Sequence, residues 1–398
     1  MPTVRPRAVL TACAIIEDLS ACQVELGRTA FYFSIGQPLE KKALNAIASL
    51  YPDLKKVTYV DERDRKRLVD EIKRDLAVEG DCIEACLARP GYASARNSAT
   101  LEALRDSNDI AIYVDDDALP ILPIGSQDRI RWQQALFMGA HLDKISEGAA
   151  VSIGHHLGYT SPIVDLRSVL AEPCLSELGL ALSIGSEVLT ADSLIFPAPV
   201  SLRLPALDQF RAYIGSRAGY FVSGGNLGVS IEALAQGSVP PFYCPDSARG
   251  EDAFFSALLD GRRVKIAEVD SVLFHDPFAI IDGLSNEQLP QSLPAYILPT
   301  PTSISRFTAA MLGWLRYSPL WITHQTIDSN VCAQKIEEIR TLLKRHSNCC
   351  LQYLNIAHAG LIFEEACANV SRDFDTMTSL DELWRSTIAP SFHGKRCR

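Results

Sequence analysis

The chain has 398 residues, 47 % of them hydrophobic and 22 % charged, proportions that exclude collagen, coiled coil and wholesale disorder. That length exceeds what one core usually serves, so a large domain with a smaller appended unit is expected. With 38 basic and 48 acidic residues the net charge is −10, which gives nucleic acid or anionic lipid no overall electrostatic attraction.

Eleven cysteines are scattered along the chain, and neither Cys82/Cys86 nor Cys349/Cys350 makes the paired knuckles of a zinc site, so reduced thiols are expected. The apolar stretch Val9 to Ile16 is too short to span a bilayer and is closed by Glu17 and Asp18. No transmembrane segment and a cytoplasmic location are the expectation.

In chain order, residues 1–29 read as an N-terminal extension. From Ala30 onward short apolar runs alternate with helix-like stretches, the pattern of an α/β sheet covered on both faces. Ala30 to Gly36 reads as a strand, the spacing from Leu39 to Leu50 predicts a helix, and Lys56 to Val60 reads as a strand ending at Asp61. A charged helix around Arg65 to Leu76 and a short apolar run from Cys82 to Leu87 fit a second unit. Ser94 to Asn97 lead into a helix, and the strand Asp109 to Val114 ends in three consecutive acids, Asp115, Asp116 and Asp117. Residues 140–220, with Pro197, Pro199 and Pro205, read as a looped insertion that also holds His155 and His156 as loop residues.

Regular structure resumes at Gly224-Gly225-Asn226-Leu227. Glu251 and Asp252 open a helix with Phe254, Phe255, Leu258 and Leu259 on one face and Gly261 as its stop. A strand from Arg263 to Val269 leads to His275. Five prolines between Pro277 and Pro301 mark a linker over 281–301, and 302–398 reads as mainly helical, with the clearest helix running from Ser329 to Lys344-Arg345-His346.

Asp115 and Asp117 flank one residue at the carboxyl end of a strand, where open α/β sheets bind ligands, and the pair suits a hard cation bridging a diphosphate. A solvated acidic turn is the plain alternative. His275 after another apolar strand suits a nitrogen ligand to such a cation, or else is a surface histidine before a turn. Asp252 at a helix start reads either as a general base facing a cleft, held by Glu251, or as a cap. Arg96 is placed to reach a phosphate, Asn97 to bind donor or cap the helix, and Asp61 to contact a nucleoside or close an ordinary turn.

The order of these elements, Asp61, then Ala95-Arg96-Asn97, Tyr113-Val114-Asp115-Asp116-Asp117, Ser223-Gly224-Gly225-Asn226, Gly250-Glu251-Asp252 and His275, resembles the GT-A nucleotide-diphospho-sugar glycosyltransferases, particularly the large inverting family-2-like group. The resemblance covers roughly residues 30 to 280. It implies a GT-A, Rossmann-like sheet, mixed but mostly parallel and flanked by helices, over 30–280, with a mainly helical C-terminal region. It implies nucleotide and donor contacts from Asp61, Arg96, Asn97, Asp115 and Asp116, and donor-sugar or acceptor contacts from Gly224, Gly225, Asn226 and Glu251. It further implies Asp252 as catalytic base, and Mn2+ or Mg2+ on Asp117, His275 and Asp115. The expected activity is metal-dependent transfer of a sugar from a nucleotide diphosphate donor to a hydroxyl acceptor, a glycan, lipid or small molecule, with inversion. The alternatives are a noncatalytic nucleotide-sugar-binding module and a sugar-nucleotide nucleotidyltransferase, the latter disfavoured because Phe31 to Pro38 lacks a glycine-rich basic loop. Aromatic and basic residues from Phe307 to Trp321 leave peripheral membrane contact open, although packing on the catalytic domain or a second subunit is favoured; homo-oligomerisation through the C-terminal helices also stays open.

Overall fold

The computed structural model describes residues 1–3, 7–35, 38–76, 81–126, 129–187, 189–195, 222–284, 286–345, 354 and 356–392. It opens with β1 (Pro2–Thr3), α1 (Ala8–Ala21), β2 (Ala30–Ile35), α2 (Pro38–Leu50), β3 (Lys56–Val60) and α3 (Glu62–Leu76). In α1, Ala8, Ala12, Ile15, Ile16 and Leu19 fall on one face and are buried, together with Leu44 and Ile47 of α2, in a cluster with Phe31, Phe33 and Ile35 of β2. That is the helical apolar stripe meeting alternate residues of a strand. β1, β2 and β3 form a parallel three-stranded sheet in that order. Residues 1–29 are therefore no appended extension: the strand and helix they contribute are an integral β-α step of the sheet.

Next come α4 (Asp81–Leu87), α5 (Tyr92–Arg105), β4 (Ile110–Val114), β5 (Ala118–Leu119), the hairpin β6 (Ile121–Ser126) and β7 (Arg129–Gln134), α6 (Phe137–Ser146), β8 (Val151–Gly158) and α7 (Glu172–Ile184). The run from Cys82 to Leu87 is helix, because seven residues of mixed apolarity fit either period and Ile83, Cys86 and Leu87 pack on Leu101 and Leu104 of α5. Within 140–220, residues 140–195 hold a helix, a central strand and a second helix instead of a looped insertion, and the prolines at 197, 199 and 205 lie outside the described residues. His155 and His156 sit in β8, not in a loop.

β9 (Asn226–Ser230), α8 (Ile231–Ala235), α9 (Glu251–Asp260) and β10 (Ile266–His275) complete a five-stranded sheet of order β4-β9-β8-β10-β5. Here only β8 and β10 pair in parallel, whereas β4·β9, β8·β9 and β10·β5 are antiparallel. The expected mostly parallel sheet is thus a mixed one, because β9 runs against both of its neighbours. β10 also runs on to His275 where a strand ending at Val269 was expected, held by its ladder to β8 from Val272 to His275.

Residues 281–301 wrap the sheet as a packed belt: Trp132 Nε1 donates to the Pro290 carbonyl (2.8 Å), Tyr159 Oη to that of Pro294 (2.9 Å) and the Asp165 amide to that of Ile297 (2.8 Å). The tail is α10 (Pro301–Gln325), α11 (Ser329–Arg345), α12 (Ile356–Leu383) and α13 (Ala389–Phe392), with a π-turn at Trp384–Ile388 between the last two. α10 begins with a capping box in which the Thr300 hydroxyl accepts from the Ser303 amide. Phe307, Trp314 and Tyr317 of α10 are buried in the same cluster as Val151 of the sheet and Trp384 of the tail, so the aromatic stretch packs inward. No helix among the described residues is long and apolar enough to cross a membrane.

Candidate active site

Ligand chemistry gathers at the carboxyl ends of β4, β8 and β10. The α5 helix runs buried from Ala93 to Leu104, a depth that its many Ala and Ser residues permit. Arg96 therefore lies within the helix, not before its amino end, and the side chain is 2 % exposed. Its guanidinium sits 5.2 Å from the Phe242 ring centroid, and its nitrogens donate to three carboxylates: Nη2 to Asp115 Oδ1 at 2.8 Å, Nη1 to Glu251 Oε1 at 2.8 Å and Nη1 to Asp252 Oδ1 at 3.1 Å. One buried cation facing three acids leaves a net negative cluster.

That imbalance shapes the chemistry of Asp252. Burial pushes its carboxyl up to about 7, and Glu251 and Asp115 push the same way, while Arg96 and an amide hydrogen bond from Gly224 oppose them. Gly250, at φ 103°, precedes the helix in a left-handed conformation with its backbone against the Tyr317 ring, and so delivers Glu251 and Asp252 on the first turn of α9.

The two glycines at the start of β9 approach these charges more closely than any side chain permits. A Cβ on Gly224 would lie 2.6 Å from Asp252 Oδ1 and 2.7 Å from Arg96 Cζ, and one on Gly225 would lie 2.6 Å from Asp115 Oδ2.

Asp115 to Ala118 form a tight turn, closed by the Ala118 amide on the Asp115 carbonyl (3.2 Å). The turn sends the first and third acids to different partners. Asp115 goes to Arg96, while β5 pairs Ala118 with His275 and brings Asp117 Oδ1 to 3.4 Å from His275 Nε2. His275 Nδ1 donates to the Tyr159 carbonyl at 2.5 Å, which leaves Nε2 turned toward Asp117. Burial pulls the His275 pKa down, but Asp117 and the Tyr159 carbonyl outweigh it and hold the imidazole above its ordinary value.

His156, which the sequence reading set aside, stands beside this pair. Its ring is 5.8 Å from that of His275, and burial, then His275, push its pKa down to about 4. It is a neutral imidazole among the acids.

Other expected site residues are placed elsewhere. Asn97 is buried, with its amide donating to the Cys86 and Phe242 carbonyls and accepting from the Phe242 amide; it braces the loop before α9 and has nothing left for a donor. Asn226 is likewise 0 % exposed, held between His141 Nε2 and the His155 carbonyl, both at 2.8 Å, so it locks β9 to β8 and faces no ligand. Asp61 accepts from the Arg63 and Asp64 amides at the start of α3, the capping arrangement. Asp116 is buried, and its carbonyl accepts from the Thr11 hydroxyl of α1. Among the described residues no group of three or more His, Cys, Asp and Glu is spaced to hold a metal ion, so Asp115, engaged by Arg96, does not join Asp117 and His275 as a preformed third ligand.

No family model matches the chain, and no curated protein matches it.

Proposed function

We propose that the protein is an inverting glycosyltransferase of the GT-A type, acting on a nucleotide diphosphate sugar and a hydroxyl acceptor. The observation that carries this reading is Arg96 holding Asp115 and Asp252, from strand and helix ends far apart in sequence, at one sheet edge. Asp252 is suited to the base: a carboxyl titrating near neutrality takes a proton from an acceptor hydroxyl and releases it again. Arg96 stabilises its carboxylate form and fixes its position, and Glu251 keeps it basic. The Gly224–Gly225 backbone leaves room for a sugar ring against the acids.

A divalent cation fits this reading, with Asp117 and His275 as its protein ligands. They offer a carboxylate oxygen and an imidazole nitrogen with its second nitrogen already committed to Tyr159, a donor set that suits Mn2+ better than Mg2+. Donor oxygens would supply the remaining ligands. When bound, such a cation offsets the charge of a departing diphosphate.

The test is release of nucleoside diphosphate from UDP-, GDP- and dTDP-sugars with Mn2+. The expected result is release from one nucleotide class, abolished by EDTA, and reduced at least ~100-fold in Asp252→Asn while nucleotide still binds. Saturable binding without release would mark a binding module instead, and absence of both would remove the reading.

A further inference from the structure

Between the two sheets runs a slot of about 760 Å³, lined along one side by Ala30 to Tyr32 of β2 and along the other by Ile110 to Val114 of β4. Tyr113 belongs to the hydrophobic cluster that includes α5, while its neighbours Ile112 and Val114 belong with α1 and α6. The slot is therefore walled by helices on both faces, as the position of a central strand is. Ile15, Leu19 and Met138 line one face and Ala99 and Ala103 the other.

Its long sides are rows of backbone polar groups. At the top, β1 already pairs with β2: the Met1 amino group donates to the Tyr32 carbonyl (2.8 Å) and the Ser34 amide to the Met1 carbonyl (3.1 Å). Alternation along a parallel ladder turns the next groups on that edge, the Tyr32 amide and the Ala30 carbonyl, toward the slot. On the opposite side, the Asp109 carbonyl accepts from the Ile231 amide at 3.0 Å, so the odd-numbered residues of β4 face β9. Ile110, Ile112 and Val114 then turn their amides and carbonyls to the slot. Among the described strands β4 pairs with β9 alone, and Ile110, Ala111 and Ile112 are only half-buried in mid-molecule. Both rails run the same way: Met1 and Val114 line one end of the slot, Arg28 and Asn108 the other.

We propose that the slot binds an extended segment of a partner polypeptide, of about five residues and mainly apolar, by strand addition parallel to β2 and β4 and collinear with β1. The occupant continues the ladder that β1 begins. Its length matches the five residues of β4, about 17 Å of strand, and only a peptide backbone presents donors and acceptors to both rails at the strand repeat. Joining the two sheets would also cover the β4 edge, which strand proteins rarely leave open. The assignment is independent of the glycosyltransferase reading.

The experiment titrates fluorescently labelled acetyl-Val-Thr-Ile-Val-Val onto the full-length protein and reads anisotropy and melting temperature. Saturable one-to-one binding and a raised melting temperature are expected. The same peptide N-methylated at its central residue, which removes one ladder donor without altering the protein, should bind at least ~10-fold more weakly. A protein carrying those five residues fused ahead of Met1 should melt higher than the parent and no longer bind the free peptide. Equal binding of the methylated peptide, undiminished binding by the fused protein, or no binding of the parent up to about 1 mM peptide would each overturn the proposal.

Discussion

Asp252 sets the pH dependence expected of the proposed reaction. A base titrating near 7 is protonated and idle below that pH, so kcat/KM for donor turnover should rise tenfold per pH unit on the acid side and level off above neutrality. Glu251→Gln removes one of the negative neighbours that hold the carboxyl up, and its acid limb should move to lower pH; an unmoved limb would detach the profile from Asp252. Arg96→Ala leaves three carboxylates facing one another without their buried cation, at a stability cost of about 3–5 kcal/mol by the usual scale for breaking a buried pair, measurable by denaturant unfolding. The acids and His275 were legible because each ends an apolar run where a sheet presents its ligand edge. Asn97 and Asn226 were not, since a motif position does not reveal whether an amide faces a cleft or a carbonyl 145 residues away, as Asn97 does with Phe242.

At the scale of elements, the α9 start is a mechanical joint. Phe254 is 0 % exposed and meets Tyr243, Tyr317 and Trp321 edge-on, so the helix that carries Asp252 rests on an aromatic floor provided by the tail. Phe254→Ala should destabilise the protein by about 3–5 kcal/mol and lower turnover beyond the unfolded fraction, read by comparing activity with the residual circular dichroism signal. Most strands and helices were readable from period alone. β8 was not: its polar residues are buried because Ser152 bonds to His141 and His156 lies among the acids, so the alternation that marks a half-solvated strand is missing. α4 was lost to the ambiguity of a short apolar run.

Over the whole molecule, a single hydrophobic cluster joins Leu68 and Leu101, Val151 and Leu227, Phe254 and Leu259, Trp314 and Leu343, Phe363 and Trp384. The tail reads in sequence as a separate helical region, yet it shares that cluster with the sheet, and Arg262 is paired with Asp381 across it. A chain ending before Ser329 should therefore fail to show one cooperative thermal transition, whereas an independent tail would leave the melting curve of residues 1–328 sharp and little moved. Composition could not show this, because apolar stripes on helices reveal that a partner exists without revealing which.

The three acids that neutralise Arg96 come from residues 115, 251 and 252, and the nearest imidazole pair from 156 and 275. During synthesis from the amino end, a ribosome-bound chain thus holds a deep guanidinium with one of its three counter-ions until translation passes the midpoint by some fifty residues. Early products carry an unbalanced charge at their centre, which should make them clients for chaperones and proteases. Quality control on this protein then acts on the half-made chain, before any pocket exists to be tested.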